Sequence, residues 1–118
     1  MLRLEVAPQA QRDIDGLLGF SEVQFGEGAA ERYRALIDAA LTDLRTDPRR
    51  RGVRTVPGLK DGIRLFHLRS SRLRAAPADR VGRPRHLLVF AADDERLTLY
   101  RVLDERMDIV GRAGEADE

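Results

Sequence analysis

The chain has 118 residues and no cysteine, which leaves room for one domain and excludes disulfides, thiolate metal ligands and a cysteine nucleophile. It contains neither an apolar run of the roughly 18 residues that span a bilayer nor the apolar core of a signal peptide, so we expect a cytoplasmic protein. The formal net charge of +1 hides an asymmetry, since residues 45–85 hold 13 Arg and Lys against 3 Asp and Glu. This basic segment suggests a surface for an anionic partner, although solvated arginines in loops would give the same count.

The first half of the chain has the pattern of one strand followed by two helices. Residues 2–6 alternate apolar and polar, as in a half-buried strand, and Pro8 suits the first turn of the helix that follows. Residues 26–28 interrupt the helical pattern, and a second helix continues to Asp47-Pro48. Two helices joined by a three-residue break predict an antiparallel helical hairpin that covers a sheet. The apolar stripe of the second helix consists of Ala30, Tyr33, Ile37, Ala40, Leu41 and Leu44.

The second half predicts three strands. Residues 63–68 alternate, residues 87–90 are apolar on both faces, and an acidic turn, Asp93-Asp94-Glu95, leads into a strand over residues 96–103. The apolar run over 87–90 therefore predicts a central strand covered on both sides. Strict alternation in the last strand places these residues on one face: Leu97, Leu99, Arg101 and Leu103.

The predicted order is β-α-α-β-β-β, an α+β fold in which an antiparallel sheet packs against an N-terminal helical hairpin. A short tail helix within residues 104–112 should end at Gly111 and Gly114. We expect a single domain over residues 1–112 and a frayed acidic tail over 113–118. Residues 69–85 are polar and rich in Ala, Pro and Gly, which predicts an exposed connection without regular structure.

No cofactor or metal signature is present in the sequence. It has neither a G-x-x-x-x-G-K-[ST] nor a G-x-G-x-x-G motif, and its two histidines, His67 and His86, would need carboxylate help to bind zinc. We therefore expect no cofactor and no metal.

Tyr100 could take part in acid–base chemistry, but a strand tyrosine is more often a core residue. Several arginines could converge on one face or rim of the sheet and bind phosphate, or each could face water or pair with a carboxylate: Arg64, Arg69, Arg85 and Arg101.

Long stretches of the chain resemble the ParE/RelE superfamily of bacterial toxins from type II toxin–antitoxin modules. The similar stretches span roughly residues 2–112 and include VAPQAQRDIDGLLGF, GAAERYRALIDAALTDLRTDP and GIRLFHLRSSR. The most specific part is the closing strand, where ParE-like members read R-[VI]-L-H followed by x-R-M-D. The corresponding residues here are Arg101-Val102-Leu103-Asp104-Glu105-Arg106-Met107-Asp108, with Asp104 in place of the usual histidine.

The resemblance implies a growth-inhibiting toxin that a cognate antitoxin neutralises by wrapping the helical hairpin and the sheet edge. RelE-like members cut messenger RNA on the ribosome with a basic, tyrosine-bearing set that includes a C-terminal Tyr. This chain has no Tyr after Tyr100 and a single lysine, Lys60, so it is more similar to the ParE-like branch. Members of that branch inhibit DNA gyrase without an established catalytic set, and the resemblance therefore favours an inhibitor over an enzyme. The alternatives are a RelE-like endoribonuclease, for which alone we expect direct nucleic-acid binding, and a non-toxic binding relic.

Three sets of site residues follow from these hypotheses. The catalytic candidates, if the protein is an enzyme, are Arg64, Tyr100 and Arg101, with a histidine beside them. The candidates for target binding are Arg64, His67, Arg69, His86, Arg101, Arg106, Met107 and Asp108. The candidates for antitoxin binding in a hetero-oligomer are Leu17, Leu18, Tyr33 and Ile37. We expect replacement of Arg101 by alanine to preserve the fold and weaken toxicity.

Overall fold

The structure is a computed structural model and describes residues 1–115. Its strands are β1 (Arg3–Val6), β2 (Arg64–His67), β3 (His86–Ala92) and β4 (Arg96–Asp104), and its helices are α1 (Pro8–Phe25), α2 (Glu27–Thr46) and α3 (Ile109–Glu115). Two 3₁₀ helices, Leu68–Arg74 and Pro77–Asp79, lie between β2 and β3. The predicted α+β class and the β-α-α-β-β-β order are confirmed.

The four strands form one sheet in the order β1-β4-β3-β2. Strands β2, β3 and β4 are antiparallel neighbours, as predicted. The sheet differs from the prediction at one edge, because β1 runs parallel to β4, with Val6 opposite Leu99. Parallel neighbours need a long connection, and the helical hairpin and the other two strands lie between β1 and β4 in the chain.

Both faces of β3 are buried, which confirms it as the central strand. Leu88 and Phe90 pack with α1 and α2, whereas Leu87 and Val89 join a smaller cluster on the opposite face. Partly buried residues of the 53–63 connection and Ile109 of α3 cover that second face. Each fully buried Leu or Phe contributes roughly 1.5–3 kcal/mol to folding, so the central strand contributes to stability through both of its faces.

A β-bulge in β4 changes which residues share a face. Val89 is opposite Arg101 and Phe90 is opposite Leu99, so Tyr100 is the extra residue. Leu97 and Leu99 pack toward the helices, and Leu103 packs on the other face. The prediction that strict alternation places Leu103 with Leu97 and Leu99 is therefore wrong, because one inserted residue reverses the alternation.

The helix boundaries also differ from the predicted ones. Gly26 alone separates α1 from α2; its φ of 95° is in the left-handed region that glycine adopts without strain. Gly28 lies inside α2, so the predicted three-residue break is wrong. The predicted tail helix exists as α3, but it continues past Gly111 and Gly114 to Glu115. Residues 116–118 of the predicted frayed tail lie outside the described residues.

The connection over residues 68–85 is ordered by hydrogen bonds, which contradicts the predicted irregular loop. The Ser71 hydroxyl donates to Oδ2 of Asp43 at 2.6 Å, and the guanidinium groups of Arg74 and Arg50 pair with the same carboxylate. Asp43 is only 3% exposed, so α2 holds this connection through a buried charge. The long helices give no membrane span: no helix within residues 1–115 is long and apolar enough to cross one.

Candidate functional site

Two histidines and two carboxylates meet at one end of the sheet. The end of β2, the start of β3 and the end of β4 lie together because these strands are antiparallel, and the register sets His67 opposite Leu87 and His86 opposite Asp104. Glu105 follows directly, and its N–H donates to the carbonyl of Arg85 at 2.8 Å. We call this group the sheet-end cluster; it consists of His67, His86, Asp104, Glu105 and Arg106.

His67 and Glu105 form a closely coupled pair within the cluster. Nδ1 of His67 accepts the backbone N–H of Arg69 at 3.1 Å, so that nitrogen carries no proton. Nε2 therefore donates to Oε2 of Glu105, at 2.6 Å. This hydrogen bond lowers the pKa of Glu105, and the nearby Arg69 and Arg85 lower it further. The imidazole is buried while the carboxylate reaches solvent, so Glu105 stays charged and fixes the tautomer of His67.

His86 makes a second polar contact, with Tyr33 of α2. Nδ1 of His86 lies 2.6 Å from the Tyr33 hydroxyl oxygen, which also accepts the backbone N–H of Arg85 at 3.1 Å. The rings meet edge-on, with centroids 5.4 Å apart. Burial raises the pKa of Tyr33 and lowers the pKa of His86. Both groups are therefore uncharged near neutral pH, and their contact joins the helical hairpin to the first residue of β3.

Asp104 is bound by the residue two positions after it. Nε and Nη2 of Arg106 each lie 3.1 Å from one of its oxygens, and the N–H of Arg106 donates to Oδ1 at 2.9 Å. The hydrogen bond from the Arg106 side chain is the main reason that the pKa of Asp104 falls to about 2. Asp104 is thus an anion and not a proton donor near neutral pH.

A cavity of about 700 Å³ adjoins the cluster, and we call it the hairpin groove. It combines apolar side chains from the helical hairpin with arginines from α2 and from the 68–85 connection. Phe20 and Phe25 in the groove are 63% and 73% exposed, and Met107 is 47% exposed. The groove is lined by Leu17, Phe20, Ser21, Phe25, Ala29, Arg32, Tyr33, Arg80, Val81, Gly82, Arg83, Arg85, His86, Asp104, Arg106 and Met107.

The predicted catalytic residues lie on two strands of the sheet and have different surroundings. Arg64 is opposite Phe90, three residues along β2 from His67, and its guanidinium contacts the carbonyl of Ile63 at 3.3 Å. Tyr100 sits in the bulge and packs against the smaller apolar cluster. Arg101 is 8% exposed and contacts Asp13. The described contacts of Tyr100 and Arg101 are thus structural, and a shared catalytic site of Arg64, Tyr100 and Arg101 stays a prediction.

Arg101 forms a bidentate pair with Asp13 of α1. Its Nε and Nη2 donate to the two oxygens of Asp13 at 2.8 and 3.1 Å, and Oδ2 of Asp13 also accepts the N–H of Val102 at 3.0 Å. Strand β1 ends opposite Leu99, so the edge of β4 is unpaired beyond that point. Asp13 accepts the Val102 N–H on this unpaired edge. It also holds Arg101 inside the fold, and sequence spacing could not identify it as the partner.

The other predicted residues divide between exposed and buried positions. His67, Arg69, His86, Arg106 and Met107 lie at or beside the sheet end. Asp108 instead accepts the N–H of Gly111 at the start of α3. Among the antitoxin candidates, Leu17 and Tyr33 line the groove, whereas Leu18 and Ile37 are buried core residues.

Sequence reasoning missed several site residues: Phe20, Phe25, Arg32, Arg83 and Glu105. Phe20 and Phe25 lie off the apolar stripe of the first helix, and large apolar residues outside such a stripe are a usable signal for an interface. Among residues 1–112, whose side chains the structure describes, no group of three or more His, Asp and Glu side chains is arranged to hold a metal ion.

The fold is that of toxins from toxin–antitoxin systems. A structure of the chromosomal ParDE system from P. aeruginosa aligns with a TM-score of 0.64 and 15% identity, over 88% of this chain and 96% of that chain. A crystal structure of the E. coli DinJ–YafQ toxin–antitoxin complex aligns with a TM-score of 0.50 and 15% identity, over 88% of this chain and 93% of that chain. No curated protein matches the sequence significantly.

The particular family follows from the sequence itself. The family model of the ParE toxin of type II toxin–antitoxin systems, parDE, matches residues 4–109. The chain therefore belongs to the ParE toxin family, and the resemblance found in its closing strand is confirmed.

Proposed function

We propose that this ParE-family chain is neutralised by a cognate antitoxin and, when free, arrests growth by inhibiting DNA gyrase. The observation that carries the proposal is the family match over residues 4–109, combined with a groove that leaves two phenylalanines in water. A monomer that works alone gains nothing from exposing Phe20 and Phe25, whereas a toxin with a dedicated partner can bury them in the complex. The hairpin groove is thus the antitoxin surface in this proposal.

The target surface would be the exposed part of the sheet end. Arg69 and Arg106 are exposed there beside Met107, while the polar contacts of His67 and His86 keep the strand ends in place. Cations around an exposed methionine suit a protein surface with carboxylates and an apolar patch. Binding through such a surface requires no proton transfer, which agrees with a toxin that inhibits its target by binding to it.

The test is a supercoiling assay with purified gyrase and the folded chain, with and without its antitoxin. We expect inhibition that the antitoxin reverses, and weaker inhibition by an Arg69→Ala/Arg106→Ala double variant. Arg3→Ala is the matched control, since Arg3 lies opposite Arg96 at the other end of β4. Uninhibited supercoiling at stoichiometric excess of folded toxin would refute gyrase as the target.

The His67–Glu105 pair supports a second candidate, a ribosome-dependent endoribonuclease. RNA cleavage requires a base for the 2′-hydroxyl proton and cations that stabilise the negative phosphorane. In this candidate Glu105 accepts the 2′-hydroxyl proton as that oxygen attacks phosphorus, and returns it to the 5′-oxygen as the P–O5′ bond breaks. His67 holds Glu105 in position, and Arg69 and Arg85, which already act on Glu105, stabilise the charge on the phosphorane. These residues differ from Arg64, Tyr100 and Arg101, the catalytic candidates predicted from the sequence.

Primer extension on translated messages distinguishes the two candidates. The nuclease predicts codon-phased cuts that Glu105→Gln abolishes and that Asp94→Asn, a control in the β3–β4 turn, leaves in place. Intact messages during growth arrest would eliminate it. Expression of the chain alone tests the third possibility, a relic without toxicity, because clear growth inhibition would dismiss it.

A further inference from the structure

A buried carboxylate on α2 holds together the two connections that flank β2. Asp43, which is only 3% exposed, accepts the Ser71 hydroxyl at 2.6 Å and a guanidinium N–H of Arg74, both from the connection after β2. Nη1 of Arg50, from the connection before β2, lies 3.3 Å from Oδ1 of the same carboxylate. Two basic segments that β2 separates in the chain are therefore held side by side.

Gly52 brings the same two segments into direct contact. Its φ of 100° is in the left-handed region, and a Cβ at this position would lie 2.9 Å from Oγ of Ser70 and 3.2 Å from the ring of Phe66. Two residues later, the N–H of Arg54 donates to the carbonyl of Leu65 at 3.0 Å, and the reverse hydrogen bond measures 2.9 Å. Since β2 is an edge strand, the segment before it runs antiparallel along its outer edge.

This arrangement places four exposed arginines along one edge of the molecule. We call them the edge patch; they are Arg49, Arg51, Arg54 and Arg69. Among residues 1–112, the guanidinium groups of these four form no ion pair and no side-chain hydrogen bond. Residues 48–60 and 62–78 contain no Asp or Glu, so the two segments supply no carboxylate that would neutralise the patch.

The surroundings of the edge patch suit a phosphate backbone better than a protein surface. Protein interfaces are built around an apolar core, and no large apolar side chain between residues 47 and 72 is exposed. The same stretch contains one Phe and no Tyr or Trp, and that residue, Phe66, is buried. The patch therefore offers no ring on which an unpaired base could stack. Cations without apolar or aromatic neighbours fit the outside of a duplex, where the phosphates face solvent and the bases are stacked inside.

We propose that the edge patch binds the phosphate backbone of duplex DNA without reading its sequence. The four guanidinium groups contact phosphate oxygens, and the exposed Ser70 hydroxyl adds a neutral donor between the two segments. Asp43 is a positioning residue, because it holds the segments together and is itself buried. The inference goes beyond the proposed inhibition of gyrase, since it gives the chain a contact with DNA itself. It also differs from the sequence-based expectation that only an endoribonuclease would bind nucleic acid.

The test measures binding of the folded full chain to a labelled DNA duplex of about 30 base pairs by fluorescence anisotropy, as a function of salt. We expect Arg49→Gln/Arg51→Gln to weaken binding about 10-fold or more at low salt and to reduce the slope of log K against log salt by about 2. Arg12→Gln/Arg34→Gln is the matched control, because it removes the same charge from exposed positions on the two long helices. The control should change affinity by less than about 3-fold.

A pair of glycine variants tests the contact between the segments without changing any charge. The Cβ of Gly52→Ala meets Ser70 and Phe66, so the segments must move apart, and we expect binding to weaken by about 3-fold or more. Gly62→Ala is the matched control: Gly62 has a φ of 89°, and a Cβ there meets no atom within 4 Å. Both variants strain the backbone, but only the first displaces a segment, and thermal denaturation verifies that both are folded. Equal affinities in the two variants would contradict the arrangement on which the inference depends.

Three further outcomes would overturn the inference. The first is an absence of duplex binding by the wild-type chain at low salt, and the second is an equal loss in the Arg49/Arg51 variant and its control, since general charge would then explain the binding. The third is a preference for another anion, either tighter binding to single-stranded DNA of the same length or displacement of the duplex by polyglutamate at an equal concentration of charges.

The DNA measurements are independent of the proposed target. They contain no gyrase, and every variant keeps Arg69, Arg106 and Met107, which form the proposed target surface. Loss of DNA binding would therefore leave gyrase inhibition to be judged by the supercoiling assay alone. Conversely, uninhibited supercoiling would refute gyrase as the target and would leave the measured affinity for the duplex unchanged.

Discussion

Two arginine–aspartate pairs join side chains at the end of strand β4, and they differ in burial. Arg101 and Asp13 are 88 positions apart, and their side chains are 10% and 16% exposed. Arg106 and Asp104 are neighbours in the chain, and the Arg106 side chain is 71% exposed. The first pair closes the free edge of β4, whereas the second forms part of the rim of the hairpin groove.

The difference shows that burial, and not residue type, decides what each arginine can do. A buried bidentate pair that also satisfies a backbone N–H stabilises one conformation, and its removal leaves a charge without a partner. An exposed pair is screened by water and is worth little to stability, so its guanidinium can exchange partners when a ligand arrives. Substitutions in the buried pair should therefore lower the free energy of unfolding more than substitutions in the exposed pair.

The largest effect is expected for Arg101→Ala. Asp13 would keep only the N–H of Val102 as a partner in a largely buried site, and we expect a loss of about 3 kcal/mol in the free energy of unfolding. This differs from the expectation, based on the sequence, that the fold would tolerate the change. Urea denaturation followed by circular dichroism measures it. Arg12→Ala, an exposed change one position before Asp13, is the control, and a loss below about 1 kcal/mol in Arg101→Ala would contradict the assignment.

Asp43→Asn should have the second-largest effect. The amide keeps the volume of the side chain but loses the charge that pairs with Arg74 and Arg50, so we expect a loss of about 2 kcal/mol. The loss should be concentrated in residues 68–85, because Asp43 ties this connection to α2 through Ser71. Hydrogen exchange should show faster exchange in that connection and little change in β3. Uniformly faster exchange would mean that Asp43 stabilises the whole domain and not this connection.

Much of the fold could be predicted because its signals are local. The apolar run over residues 87–90 requires burial on both faces, and the stripe of α2 requires one apolar partner surface. The β4 bulge was missed because an inserted residue leaves no mark in an alternating pattern that ends only four residues later. The ordered connection over 68–85 was missed because its stability comes from Asp43, which is remote in sequence and looks like one more charge on a helix surface.

The site was harder to predict than the fold, because its contacts join residues that are remote from one another in the sequence. His67 and His86 could be chosen because histidines are rare here and lie on neighbouring strands. The pairing of Arg101 with Asp13 depends on where β1 stops, and the grouping of Arg83 with Phe20 depends on how the hairpin packs. Neither distance can be obtained from residue spacing, so the sequence identified Arg85 without its groove neighbours Arg32 and Arg83, and it did not reveal that Arg101 is buried.

Tyr33→Phe tests the contact between the hairpin and β3. Loss of the hydroxyl removes the hydrogen bonds to His86 and to the Arg85 N–H, and we expect a loss of about 1 kcal/mol in the free energy of unfolding.

In the wild-type chain, burial lowers the pKa of His86 below its ordinary value of 6.5, so the unfolded state binds the proton first as the pH falls. The stabilisation that comes from burying neutral His86 is therefore complete above pH 6.5, and it decreases as the pH falls below that value. Denaturation midpoints of wild type and His86→Gln across that range measure it, and a wild-type profile as flat as that of the variant would refute it.

The smallest effect on stability is expected for Arg106→Ala, which makes the comparison with Arg101→Ala direct. The pair is exposed on the arginine side, so the free energy of unfolding should change by less than about 0.5 kcal/mol near neutral pH. The pKa of Asp104, now about 2, should rise toward its ordinary value of 3.8, because its main hydrogen-bond donor is gone. Since a lowered carboxylate pKa stabilises the fold above 3.8 and this stabilisation is lost as the pH falls toward 2, the small loss of stability in the variant should be present at neutral pH and should disappear in acid. NMR titration of Asp104 gives the pKa, and a large loss of stability at neutral pH would mean that this pair is as structural as the buried one.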